Sequence, residues 1–307
     1  MNDTEGTPMT TPPAQLLGAA DIRRIAADAG ISPTKKFGQN FVIDPGTVRR
    51  IVREAGVGAG DQVVEVGPGL GSLTLAILEV GARVTAVEID PPVAQRLPRT
   101  VAEFMPGAAD RLAVINADAL AVTPAMLAER DARFDPEART TLVANLPYNV
   151  ATPIVLTMLE HFAHLDAFLV MVQKEVADRL AASPGSRIYG TPSVKLAWYG
   201  TARTVGQIGR NVFWPAPNVD SALVLFERYA DDSPEGRRAR DERWRQATFR
   251  LVDAAFGQRR KTLHAALRKV VPAGAFEAAG IDPTRRGETL TVDEFARLAA
   301  AAQEAVA

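Results

Sequence analysis

Cysteine is absent from all 307 residues. Its absence excludes disulfides, thiolate metal sites and any mechanism that uses a cysteine nucleophile. Histidine occurs only at His161, His164 and His264, without ligand partners at metal spacing, so no metal site is expected. No apolar run nears the roughly 20 residues needed to cross a bilayer, and Ala167 to Val172 reads as a buried strand at most. The stretch Met1 to Gln15 has neither a basic start nor a continuous apolar segment. It is rich in Thr, Pro and small polar residues, which predicts a disordered tail over 1–19 rather than a signal peptide, and a cytoplasmic protein. An excess of positive charge is missing too, the formal net charge being −1. That sum excludes no polyanionic partner, because phosphate binding depends on where the cations lie.

What is present is apolar enough, at 47% hydrophobic residues, to bury one large core and a small second domain. Val63-Val64-Glu65-Val66 reads as a strand running into the turn Gly67-Pro68-Gly69-Leu70-Gly71. Glycines there permit backbone angles closed to other residues and let a ligand approach the main chain. A dinucleotide fingerprint wants a further glycine three residues after Gly69, where this chain has Ser72, so the turn tilts away from NAD. The next strand, Arg83 to Asp90, ends in an acid about 20 residues after the first glycine, where ribose hydroxyls are usually held. Glu88 is the better candidate for that role. Asp90, followed by Pro91-Pro92, suits the start of the next helix. A third strand, Leu112 to Asn116, leads to Asp118, placed to hold an adenine amino group. An isolated Asp at a strand end is more often a turn former. Three such ends on the carboxyl edge of a parallel sheet describe a nucleoside site.

The fourth strand, Thr140 to Ala144, ends in Asn145-Leu146-Pro147-Tyr148. The Asn145 side-chain oxygen and the Leu146 carbonyl can accept both N–H bonds of a planar exocyclic amine and favour the tetrahedral geometry it needs as a nucleophile. Pro147 stiffens the turn and has no donor. Tyr148 offers a face for an unstacked base, worth about 1–3 kcal/mol. A nucleoside cofactor at one strand end and an amine at the other suggest methyl transfer from S-adenosylmethionine to nitrogen. No strong general base is needed, since the amine loses its proton after the methyl group arrives.

With these motifs in order, the chain resembles the ribosomal RNA adenine N6,N6-dimethyltransferases, and in particular the bacterial small-subunit branch. The resemblance covers nearly everything beyond about residue 30. It runs through Lys35-Lys36-Phe37-Gly38-Gln39-Asn40-Phe41, Glu65 to Gly71, Asn145 to Thr152, Gln173 to Val176 and Tyr189-Gly190, then Phe213 to Ser221 and Phe256 to Leu263. It implies an α/β fold, with a Rossmann-like methyltransferase domain on a mostly parallel sheet and a small all-helical C-terminal domain. It implies S-adenosyl-L-methionine held by Asn40, Val42, Gly67, Gly69, Glu88, Asp118 and Asn145. Asn145, Leu146, Pro147 and Tyr148 then form the catalytic turn, with Phe213 as a second aromatic wall; Trp214 fits lining or packing equally. Val42 stands where many members have Leu, and Ala151 where Ser is frequent. The missing cysteine agrees, since it excludes RNA methylation at a pyrimidine carbon through a cysteine adduct.

Positive charge gathers late. Arg243 to Lys269 carries eight cations against Asp253 alone, interleaved with Leu251, Ala254, Ala255, Phe256 and Leu263, which reads as basic amphipathic helices. Such a run is commonly a solvated surface. With the resemblance, Arg259, Arg260 and Lys261 are expected to contact RNA phosphates, and Lys35 and Lys36 form a smaller second patch. The methyltransferase domain is expected over 20–228, a linker over 229–236 and the helical RNA-contacting domain over 237–307. Strands are expected near Ala197 to Ile208 and Ala222 to Arg228, and Ala128 to Arg139 looks like a loop insertion. A last helix opens near Thr291, with Glu294 completing a capping box.

The activity implied is dimethylation of N6 on two adjacent adenosines in the 3′-terminal hairpin loop of small-subunit rRNA, within an assembling 30S particle and by a monomer. The rivals are a large-subunit rRNA dimethyltransferase of the macrolide-resistance type, and an assembly factor that binds without much catalysis. The Phe256 to Leu263 motif favours the small-subunit branch.

Overall fold

The computed structural model describes residues 15–32 and 40–305. The chain divides into two compact units, one of residues 1–147 and 210–218, the other of 148–209 and 219–307.

The first unit opens with helix α1 (Ala19–Asp28), closed by Gly30 at φ +64°. Strand β1 (Phe41–Val42) and helix α2 (Pro45–Glu54) follow, and Asp44 caps α2 by accepting from the Thr47 N–H at 2.7 Å. Three strand–helix pairs come next: β2 (Gln62–Val66) with α3 (Ser72–Glu79), β3 (Arg83–Glu88) with α4 (Pro91–Phe104), and β4 (Leu112–Asn116) with α5 (Pro124–Arg130). Strand β5 (Thr140–Asn145) completes a parallel arrangement in the order β4-β3-β2-β5. β2 is buried along its whole length, as a strand covered on both faces must be. Its apolar run is therefore continuous rather than alternating. Asp90 sits at the N-cap of α4 with Pro91 at the first helical position, as read from the sequence, but its side chain makes no capping hydrogen bond. Strand β8 (Phe213–Trp214) returns to this unit and pairs antiparallel with β1.

The second unit contains α6 (Ala151–His161), β6 (Leu165–Gln173), α7 (Lys174–Leu180), α8 (Thr191–Tyr199), β7 (Gly200–Ile208) and β9 (Ser221–Arg228). β9 lies between β6 and β7 and is antiparallel to both. The strand expected from Ala197 begins only at Gly200, because Ala197 to Tyr199 finish α8. Gly200 marks the change for a steric reason: a Cβ there would lie 2.1 Å from the Glu227 carbonyl oxygen.

Beyond β9 the described chain is helical: α9 (Pro234–Ala239), α10 (Glu242–Gly257), α11 (Leu263–Leu267), α12 (Ala273–Ala278) and α13 (Val292–Glu304). The stretch expected as linker already holds the start of α9, capped by Ser233. These helices share the compact unit of β6, β7 and β9, and aromatic packing shows why. Trp198 on α8 meets Trp244 and Phe249 of α10 edge-on at 6.2 and 5.9 Å. Arg238 lies 4.9 Å over the Trp198 ring. Arg245, 8% exposed, pairs with both Glu160 and Glu242 and covers Phe249. The region 128–139 is likewise not a loose insertion: it begins inside α5, and Gln62 holds Asp135 through both halves of its carboxamide.

Candidate active site

The turn after β2 places Gly67, Gly69 and Gly71 at φ +68°, +57° and +101°, all in the region that disfavours side chains. Close packing adds a second constraint. A Cβ on Gly69 would stand 3.0 Å from the Phe41 ring, and one on Gly71 would stand 2.8 Å from Leu97. Ser72, where a dinucleotide site would carry glycine, donates its hydroxyl to the Val42 carbonyl at 2.6 Å. The departure from the fingerprint is thus a tether, joining the first residue of α3 to β1. Val42 itself is buried and faces Phe213 in the β1–β8 pair.

Strand β3 ends at Glu88, two residues before the Asp90 expected from the sequence, and so Glu88 itself stands at the strand end. It is 6% exposed, and its carboxylate accepts the Asp90 N–H at 3.0 Å and the Gly69 N–H at 3.4 Å. Burial pushes its pKa up, against the pull of those backbone donors. The acid therefore spans the glycine turn and the end of the neighbouring strand. Asp118 is exposed beyond β4, and its Oδ1 accepts the Leu120 N–H at 2.9 Å, a turn-forming bond that leaves the carboxylate at the surface.

Glu65 opens the glycine motif, and the sequence reading assigns it no role. It is 1% exposed in the middle of β2, and the Thr74 hydroxyl donates to its Oε2 at 2.7 Å. Burial pushes its pKa up to about 8, and the nearby charge of Glu88 adds to the shift. Two carboxyls below one turn cannot both ionise cheaply, so their protonation separates and the deeper one is the neutral one. The signal was present: one acid inside the run Val63-Val64-Glu65-Val66.

At the end of β5, Asn145 is half-buried and its Nδ2 donates to the Asn40 carbonyl at 3.0 Å. This anchors the carboxamide and fixes the side to which Oδ1 turns. Leu146 is 1% exposed, so its side chain roots the turn in the core. Gly67 packs beneath, with the Asn145 carbonyl and Pro147 just under 4 Å from where its Cβ would be. Phe213 is 3% exposed, whereas Trp214 is half-buried and stacks on Phe41 at 6.3 Å. Trp214 therefore packs.

In the second unit, Tyr148 is half-buried and its hydroxyl shares a 2.8 Å hydrogen bond with Ser221, which is wholly buried. Burial raises the phenol pKa, so the ring is held as a neutral platform. The expected cationic residues are not equivalent. Arg260 and Lys261 are exposed, but Arg259 is half-buried and engaged: it donates to Glu288 at 2.8 Å and to the Arg187 carbonyl at 2.5 Å. Lys35 and Lys36 lie outside the described residues. Among the described residues no cluster of His, Cys, Asp and Glu fits a metal ion, and no helix is long and apolar enough to cross a membrane.

The glycine turn at the carboxyl ends of parallel strands, the ribose-type acid Glu88 and the Asn-Leu-Pro-Tyr turn fit S-adenosylmethionine, and define a Rossmann-like, S-adenosylmethionine-dependent methyltransferase with a helical C-terminal region. The model of the family described as ribosomal RNA adenine dimethylase matches residues 32–304. The chain belongs to that family. It is 72% identical over 298 residues to the Ribosomal RNA small subunit methyltransferase A of Bifidobacterium adolescentis, covering 95% of this chain and 96% of that one. Among solved structures it resembles the 23S rRNA methyltransferase ErmE (TM-score 0.63, 24% identity, 86% of this chain and 100% of that one). It also resembles a dimethyladenosine transferase from Plasmodium falciparum (TM-score 0.67, 22% identity, 84% and 95%). At those identities the two structures speak for the fold alone.

Proposed function

We propose that this protein transfers methyl groups to N6 of two adjacent adenosines in the 3′-terminal hairpin loop of small-subunit rRNA, late in assembly of the 30S particle. It acts as a cytoplasmic monomer, and each adenosine ends as N6,N6-dimethyladenosine. The observation that carries the reading is Asn145 at the end of β5, with its amide committed to Asn40 and its oxygen turned the other way. The choice of the small subunit rests on the name of the 72%-identical relative and on the Phe256 to Leu263 motif.

S-adenosylmethionine, when bound, supplies an electrophilic methyl group on a sulfonium. Gly67 and Gly69 would let it approach the backbone, Glu88 would accept from its ribose and Asp118 from its adenine, and Asn40 and Val42 would flank it. The protein's own part is to present the nucleophile. Asn145 Oδ1 and the Leu146 carbonyl accept the two N–H bonds of the target amine, which draws its lone pair out of the ring. Tyr148 supports the base, which must leave its stack to reach the turn. Its hydroxyl is held by Ser221, so the ring need not be ordered at the moment of reaction. Once one methyl group is present, Asn145 and Leu146 have one N–H left between them, and the turn must still hold the amine. Phe213, by the family resemblance, is a second aromatic residue for that base. Positioning and fixed dipoles account for the acceleration, with no base abstracting a proton beforehand.

The test is methyl incorporation from labelled S-adenosylmethionine into unmethylated small subunits, large subunits and naked rRNA in parallel, with the modified nucleoside mapped. Dimethyladenosine at two adjacent small-subunit positions is expected. Label in large-subunit rRNA overturns the substrate, and tight binding without label makes the protein an assembly factor.

A further inference from the structure

Three segments remote in sequence meet at one ion pair in the second unit. Arg259 Nε donates to Glu288 Oε2 at 2.8 Å, and its terminal nitrogen donates to the Arg187 carbonyl at 2.5 Å. The Gly185 N–H donates to the Glu288 carbonyl at 2.7 Å. Tyr189, buried, closes the far end of the 183–188 loop by donating to the Leu290 carbonyl at 2.9 Å and packing edge-on against Phe256 at 6.0 Å. Two of these bonds, from Arg259 to the Arg187 carbonyl and from the Gly185 N–H to the Glu288 carbonyl, fix the backbone of the loop directly. None of them uses the side chains of Arg187 and Ile188, which are exposed, Ile188 by 47%.

The loop is held through its backbone while it presents one cation and one aliphatic side chain to solvent. Its neighbours through the ion pair are Arg260 and Lys261, which follow Arg259, and Arg286, two residues before Glu288; all three are exposed. These segments thus present four exposed cations and one exposed aliphatic side chain, a combination suited to phosphates around a sugar or unstacked base. Glu288, in the same cluster of segments, is paired with Arg259.

We propose that the 183–188 loop is an RNA-contacting element, with Arg187 on a phosphate and Ile188 against the sugar or base edge, and that Arg259 is a positioning residue which builds this surface through Glu288 rather than a phosphate contact. The inference rests on the rRNA substrate read above and adds where and how that RNA is gripped. It divides Arg259-Arg260-Lys261 into one residue that shapes and two that bind.

Electrostatics and bracing make opposite forecasts for Glu288. Removing an acid from a cationic surface strengthens RNA binding if charge alone matters, whereas removing the brace weakens it. The experiment is binding of the full-length protein to a naked small-subunit rRNA transcript over a salt series. Arg187→Ala, Arg260→Ala and Lys261→Ala should each weaken binding and lower the salt slope by about one. Ile188→Ala should weaken binding with the slope unchanged. Glu288→Ala should weaken binding about threefold or more, and the Arg259→Ala/Glu288→Ala double variant no further than Arg259→Ala alone. Glu288→Gln, which keeps the volume, repeats the test if the alanine variant melts early. Binding by Glu288→Gln as tight as the parent's, or tighter, overturns the positioning role. An unchanged slope in Arg187→Ala overturns the loop contact. Unchanged slopes in Arg260→Ala and Lys261→Ala as well overturn the RNA reading of the whole surface, which is a different failure.

Discussion

Glu88 in the first unit and Glu294 in the second are both acids near the end of an element, and their surroundings differ. Glu88 is 6% exposed and takes hydrogen bonds from two backbone N–H groups, and burial drives its pKa upward. Glu294 lies under the Arg285 guanidinium, which pulls its pKa below the usual carboxylate range. The same contrast separates Glu65, buried and shifted to about 8, from Glu242, lowered by Arg245. A carboxylate already matched by arginine has little left to offer a ligand. One held by backbone N–H groups at a strand end can still accept a hydroxyl. At these positions the first unit keeps acceptors available by its glycine turn, while Glu294 and Glu242 in the second fix arginines and, through them, shape. Away from that turn the first unit pairs acids too, Glu79 with Arg49 and Glu103 with Arg24 and Arg96.

The largest effect should come from the acceptor at the heart of the first unit. Asn145→Ala removes the amine acceptor together with the anchor to Asn40, and a loss of about 10²–10³ in methyl transfer is expected, the range seen for single preorganised polar groups. Binding to the rRNA should persist, because the cations proposed above to contact it, Arg187, Arg260 and Lys261, lie in the second unit. Near-normal turnover would sink the mechanism. Gly71→Ala comes next, and it acts through stability. The backbone at φ +101° disfavours a side chain, and the new Cβ would sit 2.8 Å from Leu97. A cost of about 2–3 kcal/mol is expected from urea unfolding.

Glu65→Gln tests how the buried acid is held. In the native chain Glu65 binds its proton up to about pH 8, far above an ordinary carboxyl. The native state therefore holds a proton that the unfolded chain has released. Its contribution is complete below the unfolded pKa and is lost as pH rises towards 8. Glutamine stays neutral and can still accept from Thr74, so its unfolding free energy should lack that decline. The variant should gain on the parent by about 2 kcal/mol between pH 6 and 8. A constant difference across that interval would mean that Glu65 is ionised in the fold.

The strands and their functional ends were legible because they depend on near neighbours. Continuous apolar runs mark β2, β3 and β5, and Glu88 and Asn145 follow those runs directly. The Thr291–Glu294 capping box, formed as expected, is local in the same sense. What could not be read is what closes over distance. Glu288 lies 29 residues from Arg259, and Ser221 lies 73 from Tyr148; nothing in either segment names its partner. The sequence leaves Trp214 between lining and packing, and the distant Phe41, stacked against it, decides for packing. The boundary near 229–236 rested on polar composition, whereas the aromatic packing of Trp198 with Trp244 and Phe249 joins α8 to α10 across it.

The smallest effect expected is at that capping box, and it tests whether paired acids in the second unit act together. Thr291 accepts the Glu294 N–H at 3.2 Å, and Glu294 Oε2 accepts the Thr291 N–H at 2.8 Å. Arg285 holds the same carboxylate from the other side. Thr291→Ala removes one of these bonds and leaves Glu294 anchored, so the cost should fall at the low end for a cap, about 0.5–1 kcal/mol. In an Arg285→Ala background the Glu294 side chain has lost its second anchor, and the same substitution should cost more. A double-mutant cycle on unfolding free energies measures the difference. If the two changes add without coupling, Arg285 does not hold the cap, and the view that the second unit's acids act by fixing arginines loses one of its supports.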